Sequence, residues 1–321
     1  MAAPPGVDAY DIEFNAIIEG LSDGKVVPLL GAGFNLADRP DGVAWQATKS
    51  GFLPSGNELA CHLAARYQYP FPDRDLARIC QFVVEVRGLA PLYDYLRTLF
   101  EAPCKPTQAH QFLASLPGKL RAKKCAQPNL LIVTTNYDNL VEMAFADESE
   151  RLEVVSYIAD AKPAKGKFAH HLATGERLII QKPNEYAGLS PRESSVLLKI
   201  HGDFDPQGAV NDSFVITEDH YIDFLTRTDL SNLVPVQLAG HLRASHFLFM
   251  GYSLRDWNLR VILQRIWDEQ RLGYNSWAIQ RSSDPLDRRF WSRRNVEILE
   301  LPLSEALATL SARIGSLEEP K

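Results

Sequence analysis

The chain has 321 residues, of which 45% are hydrophobic and 23% charged, with a formal net charge of −6 at pH 7. That length suits one large domain or two small ones, and the acidic balance argues against direct nucleic-acid binding, whose usual footprint is a basic face. No apolar run reaches the length that crosses a bilayer, and residues 1–13 lack the basic start and apolar core of a leader, so a cytoplasmic protein without membrane contact is expected.

In chain order, 8–21 carries an amphipathic helical pattern. Val26, Val27, Pro28, Leu29 and Leu30 then form a short apolar run that leads into Gly31-Ala32-Gly33-Phe34-Asn35. Such a turn lets bare backbone approach a phosphate, but it serves close packing equally well. Ser55 with Glu58 makes a capping-box pattern, and 75–86, 91–100 and 106–116 also read as helices. Residues 36–124 are therefore expected to form a helical lobe over the carboxyl end of the first strand. Apolar runs at 130–134, 196–200, 247–250 and 277–279 read as buried strands, with 296–301 as an edge. Helices are expected at 139–145, 217–225, 255–272 and 304–314. Residues 150–194, which include Lys162, Lys165, Lys167 and His170-His171, are expected to be a loop or β insertion.

Strands alternating with helices predict an α/β fold. It would be a Rossmann-like parallel sheet with helices on both faces and a helical lobe inserted after the first strand, in a single domain over 1–321. Ligands of such sheets bind outside the carboxyl ends of the strands. The residues there are Gly31, Ala32, Gly33 and Asn35; Thr134, Thr135, Asn136, Tyr137 and Asp138; His201, Gly202 and Asp203; and Gly251, Tyr252, Ser253, Arg255 and Asp256. A strand-end Asn or Asp is often only a helix cap. A His-Gly at one end and a Gly-Ala-Gly at another have less structural reason.

Taken in order, five segments resemble the sirtuin superfamily, in its bacterial sirtuin-like branch. They are Gly31-Ala32-Gly33-Phe34-Asn35, Thr134-Thr135-Asn136-Tyr137-Asp138, Lys199-Ile200-His201-Gly202-Asp203, Ile216-Thr217-Glu218-Asp219 with Tyr221, and Phe249-Met250-Gly251-Tyr252-Ser253-Leu254-Arg255-Asp256. The resemblance implies an NAD-binding domain. In it Gly31, Ala32 and Gly33 would cradle the pyrophosphate, Asn136 and Asp138 would hold the nicotinamide ribose and carboxamide region, and His201 would be the catalytic histidine. Gly251 and Ser253 would contact the adenosine side. Asn35 stands where the family usually has Ser, which would alter a phosphate or ribose hydrogen bond. Thr135 stands where deacetylases usually have Gln, which would reshape the nicotinamide pocket.

Deacetylases of the family carry a four-cysteine zinc module after the histidine strand. Here Cys61, Cys80, Cys104 and Cys125 all precede Asn136; no Cys-x-x-Cys pair occurs, so no zinc is expected and buried reduced thiols are. The chain is similar instead to anti-phage sirtuin-like effectors. This implies hydrolysis of NAD⁺ to nicotinamide and ADP-ribose, with NAD⁺ as substrate and no further cofactor. Asn136 would orient water or ribose. His201 would accept a proton, its ordinary pKa lying near working pH, and Asp138 would place negative charge near the developing cation. Which of Asn136 and His201 touches the water stays open. A protein deacylase or ADP-ribosyltransferase, and an NAD-sensing subunit without turnover, are the alternatives. Control by homo-oligomer assembly or by a separately encoded HerA-type ATPase is expected.

Other features have plainer readings. His62, His110, His220, His241 and His246 read as packed or surface side chains, and His170-His171 as a solvated loop. Arg281, Arg288, Arg289, Arg293 and Arg294 read as solvated surface or as a dock for an acidic partner or neighbouring subunit. The apolar spacing of 304–314 suits core and oligomer contact alike.

Overall fold

The computed structural model describes residues 6–160, 163–172, 174–206, 208, 212–226, 234–252, 254 and 275–317. Its centre is a nine-stranded sheet in the order β11-β10-β9-β1-β2-β6-β3-β4-β5. The strands are β1 (Val26–Leu30), β2 (Leu131–Thr134), β3 (Leu152–Tyr157), β4 (Phe168–His171), β5 (Arg177–Ile180), β6 (Ser195–Lys199), β9 (His246–Met250), β10 (Ser276–Gln280) and β11 (Val296–Glu300). A two-stranded ribbon pairs β7 (Gly202–Asp203) with β8 (Ser213–Phe214). Strands β11 through β3 are mutually parallel, and β4 and β5 extend the sheet antiparallel.

The chain winds outward from β1 in both directions, to β2 and β6 on one side and to β9, β10 and β11 on the other. That makes β1 the topological switch point, where α/β sheets open a crevice. Pro28 shapes this strand. The Leu30 carbonyl accepts from Thr135 N, so the even-numbered residues of β1 turn toward β2. Pro28 falls on that side without an N–H to donate. Accordingly β1 pairs with β9 along all five residues but with β2 only at Leu29 and Leu30.

Helices cover both faces, as expected. Val26, Leu30, Ile132 and Leu197 face α1 (Asp11–Ser22), α5 (Gln108–Ala122), α6 (Leu140–Asp147) and α10 (Leu303–Gly315), with Ile17, Leu113, Phe145 and Leu310 in the shared core. Val27, Leu29, Val133 and Leu198 face the opposite way, toward α7 (Glu218–Thr226), α8 (Val236–Arg243) and α9 (Pro285–Ser292), through Phe224, Leu238, Leu242 and Trp291. This alternation is the period-two consequence of a strand buried on both sides. Because Ala306, Leu307, Leu310 and Ile314 all sit in that core, the apolar face of α10 is core.

Two expectations change. The lobe is narrower than 36–124: α2 (Gly56–Arg66), α3 (Leu76–Arg87) and α4 (Leu89–Phe100) share a core of their own, whereas α5 packs on the main sheet. Residues 150–194 are β-rich, as one of the two readings had it, but they belong to the main sheet rather than to an insertion, because β3 is a parallel strand beside β6 and β4 and β5 continue from it. The apolar pattern of β3 is masked by Glu153 and Ser156, both buried and both paired to histidines of β4. The β7–β8 ribbon stands between His201 and α7, the helix expected at 217–225. The capping box holds, with Ser55 N donating to Glu58 Oε2 at 2.9 Å and Glu58 N to Ser55 Oγ at 3.3 Å. The helix expected at 255–272 lies outside the described residues, as do Ser253, Arg255 and Asp256. Cys80 and Cys104 are buried, but Cys61 is exposed and Cys125 half-buried, so the expectation of buried thiols holds for two of the four.

Candidate active site

The crevice at the switch point is a cleft of about 970 Å³, within the size range of small-molecule sites. Ala32, Gly33, Asn35, Thr135, Asn136, Asp138, His201 and Gly251 all border it. Gly31 sits behind this lining, against the end of β9.

The glycine turn is built by close packing. Gly31 N donates to Met250 O at 3.0 Å and Gly33 N to Gly251 O at 2.9 Å. A Cβ on Gly31 or Gly33 would lie 2.7 Å from Gly251 O, and one on Gly251, whose φ is +71°, would lie 2.0 Å from Phe34 N. These glycines therefore let the ends of β1 and β9 cross. The amides of Gly31 and Gly33 point at protein carbonyls, which corrects the picture of both as bare phosphate donors. What the turn presents to the cleft is the short 3-10 segment Ala32–Leu36.

Beyond β2, Thr134 Oγ1 donates to Leu30 O and accepts from Asn136 N, which folds the chain back toward β1. Asn136 Nδ2 donates to Gly31 O at 3.2 Å and lies 3.5 Å from Asn35 Oδ1. Its donor end is thus held by protein, leaving the carbonyl oxygen as the end able to accept from a ligand. Asn35 is buried, and its Nδ2 donates to Asp138 Oδ2 at 2.7 Å. Leu140 N donates to Asp138 Oδ1 at 3.1 Å. Asp138 thus holds the first amide of α6 and Asn35 at once. Thr135 Oγ1 accepts from Tyr252 OH at 2.6 Å, and Gln280 Nε2 donates to Tyr252 O; Tyr252 and Gln280 both border the cleft, and Gln280 carried no signal in the sequence.

His201 follows β6. It is 5% exposed, flanked edge-on by Tyr221 and Phe224, and its buried Nε2 has no hydrogen-bond partner among the described residues. Burial pushes its pKa down to about 3. The sequence expectation of an imidazole titrating near working pH is therefore corrected: burial keeps the ring neutral and a weak base. Gly202, with φ +90°, permits the ribbon crossing behind it, where a Cβ would meet Ser213 O at 1.9 Å.

The mouth is shaped by residues 37–55. Arg39 grips Glu58, which also accepts from Trp45 N and Ser55 N. The Arg39 side chain holds the Glu58 carboxyl down at about 2. Across the mouth, Asp41 pairs with Arg281 at 3.1 Å between two exposed side chains.

Two histidines depart from their sequence readings. His170-His171 is not a loop but strand β4; His170 bonds Glu153 and Tyr186, and His171 bonds Ser156 and lies 3.2 Å from Asp203. His110 is a packed side chain, as expected, with Nδ1 accepting from Thr107 N and its ring edge-on to Phe34 beside the glycine turn. His220 is packed too, paired with Asp160 at 3.0 Å. Lys199 is fully buried among oxygens. Its sequence signal, a lone charge inside an apolar strand run, was present but unassigned. Among the described residues no group of three or more His, Cys, Asp or Glu is placed to hold a metal ion, and no helix is long and apolar enough to cross a membrane.

Comparison with known proteins gives this geometry relatives. The NAD(+) hydrolase ThsA of Cytobacillus dafuensis is 25% identical over 194 residues, covering 60% of this chain and 31% of that protein. ThsA of Acinetobacter baumannii (strain 532279) is 29% identical over 202 residues, covering 60% and 32%. The defense-associated sirtuin 2 of Bacillus subtilis is 24% identical over 296 residues, covering 88% of this chain and 24% of its own length. The chain thus matches only about a quarter to a third of the length of these curated relatives. A solved Sir2 homolog–NAD complex aligns over 98% of this chain and 96% of its own at 14% identity, with a TM-score of 0.41. The family model described as a SIR2-like domain matches residues 130–299. With more than half of its length under that match, the chain belongs to the SIR2-like domain family.

Proposed function

We propose that the cleft binds NAD⁺ and hydrolyses its nicotinamide–ribose bond, giving nicotinamide and ADP-ribose. The observation that carries this reading is the convergence of Asn136, Asp138, Asn35 and His201 on one cleft at the switch point of the sheet. The names of the ThsA relatives support it at the level of activity.

The chemistry fits what these residues offer. The C1′–N bond breaks with its electron pair going to the pyridinium nitrogen, so nicotinamide leaves neutral and needs no acid. The ribose carbon passes through an oxocarbenium-like state, and water adds to it. Asn136, with its donor end fixed by Gly31 O, presents a carbonyl oxygen to a ribose hydroxyl or to that water. His201, neutral through burial, accepts a hydrogen bond from the water and takes its proton only as the oxygen bonds to C1′. The Asp138 carboxylate holds Asn35, and through it the Asn136 amide, while adding negative charge near the developing cation. Gly31, Ala32, Gly33, Thr135, Gly251 and Ser253 are assigned to the binding surface, Gly31 and Gly33 through packing rather than through their amides.

A toxic effector of anti-phage defence is the accompanying biological reading, supported by the name of the Bacillus subtilis relative. Activity would then be held in check by homo-oligomer assembly or by a partner such as a HerA-type ATPase. The test is release of nicotinamide and ADP-ribose from NAD⁺ by the purified chain, alone and with candidate partners, with Asn136→Ala and His201→Ala alongside. Loss of release in both variants supports the assignment; release at the wild-type rate in either removes that residue from it. Turnover unaffected by a zinc chelator is expected. A modified peptide formed in step with nicotinamide release would favour the deacylase or ADP-ribosyltransferase reading instead.

A further inference from the structure

Lys199 is a charged side chain with 0% exposure, and it does not border the cleft. A buried ammonium is costly unless each of its protons finds an acceptor. Here three oxygens surround Nζ: Asp138 O at 2.7 Å, Glu142 Oε1 at 2.8 Å and Asp203 Oδ1 at 2.7 Å. Burial pulls the ammonium toward neutrality, and Asp203 and Glu142 outweigh it, so the group stays charged well above its ordinary range.

The partners of Lys199 lie on the segments that carry the proposed chemistry. Asp138 O belongs to the turn that presents Asn136 and the Asp138 carboxylate. Glu142 lies in the first turn of α6, whose first amide, Leu140 N, donates to this carboxylate. Asp203 sits two residues after His201 and reaches His171 of β4 at 3.2 Å, and His171 in turn bonds Ser156 of β3 at 2.7 Å. Lys199 itself is two residues before His201 on the same chain segment. One ammonium therefore ties the end of β2 to the end of β6, the two strand ends whose side chains must face one substrate.

We infer that Lys199 is a positioning residue for the cleft: by holding the Asp138 carbonyl from the strand that carries His201, its ammonium fixes Asn136 and His201 relative to each other. The inference rests on the NAD⁺-hydrolase reading for its catalytic consequence, but not for its structural one. A simple structural charge would be replaceable by any neutral pair that packs. A positioning charge is not, because a neutral side chain gives up the grip on the Asp138 carbonyl.

The test is the paired exchange Lys199→Met with Asp203→Asn, which removes the ammonium and one of its carboxylates together. It is read by thermal melting, by calorimetric NAD⁺ binding, by kcat for nicotinamide release and by amide hydrogen exchange resolved to residues 134–138. A cooperatively melting variant is expected to exchange at least about tenfold faster at 134–138 with β9 unchanged. Its kcat is expected to fall at least about tenfold, with NAD⁺ affinity changing by less than about threefold. Wild-type exchange at 134–138, or a kcat within about twofold of wild type, overturns the inference. If the paired variant does not melt cooperatively, Lys199→Met with Glu142→Gln removes the ammonium together with its other carboxylate instead. Faster exchange at 134–138 is again expected, and wild-type exchange again overturns it. A wild-type chain that binds NAD⁺ yet releases no nicotinamide overturns the hydrolase reading instead, and the exchange measurement still decides the role of Lys199.

Discussion

Asn35 Nδ2 donates to Asp138 Oδ2 at 2.7 Å inside the protein, joining the turn after β1 to the turn after β2 across 103 residues of chain. The pair joins two residues read separately from sequence, one at a phosphate or ribose hydrogen bond and one at the nicotinamide ribose and carboxamide region, into a single brace behind Asn136. Asn35→Ala leaves a carboxylate with 7% exposure without this donor. A loss of about 1–3 kcal/mol in unfolding free energy is expected, with nicotinamide release reduced on the order of tenfold to a hundredfold because Asn136 is no longer held. Denaturant unfolding and single-turnover kinetics check the two parts. A variant as stable and as active as wild type would show that the brace has no role.

The crossing of β1 and β9 makes a second prediction. Gly251 and Gly42 both have positive φ, +71° and +77°, but a Cβ at Gly42 meets nothing within 4 Å whereas one at Gly251 meets backbone. Gly42→Ala should cost only the strain of a left-handed residue, roughly 1–2 kcal/mol. Gly251→Ala should prevent the crossing and leave little folded protein. Soluble yield and melting temperature, compared side by side, separate strain from collision.

Acid sensitivity follows from His110. Burial lowers its pKa to about 4, so between pH 6.5 and 4 the unfolded chain binds a proton that the folded chain refuses. Its contribution is therefore full above pH 6.5 and is lost as pH falls, by up to about 1.4 kcal/mol per pH unit. His201 acts in the same sense down to about 3. Because Thr107 N donates to His110 Nδ1 at the helix start, His110→Gln keeps a capping acceptor while removing the titration. Melting temperatures from pH 7 to pH 4.5 should fall less steeply in His110→Gln than in wild type; equal slopes would refute the assignment.

The bond from Tyr252 OH to Thr135 Oγ1 spans the ends of β9 and β2 on the cleft wall. Tyr252→Phe, Thr135→Val and the double variant should give a coupling energy of about 1 kcal/mol in unfolding. NAD⁺ binding should weaken in both single variants by a similar factor, since each releases the same contact. Additive stability effects would mean that the two side chains act independently.

Much of the architecture was legible in the sequence. The apolar runs ending in Gly31, Asn136, His201 and Gly251 mark where buried parallel strands stop, because a strand covered on both faces must be apolar along its length. The same strand ends placed the candidate chemistry in one crevice, since parallel strands share a carboxyl edge. What the tertiary structure alone decided is how those residues use their polar atoms. Periodicity and propensity are short-range, and they do not tell that Asn35 turns inward to Asp138, that Gly31 and Gly33 give their amides to β9, or that Glu153 and Ser156 find histidine partners and so make β3 a core strand. Desolvation is likewise a property of the packed chain: it keeps His201 neutral, and it leaves Lys199 charged only because Asp138 and Glu142, about sixty residues away in the chain, close around it together with the nearby Asp203.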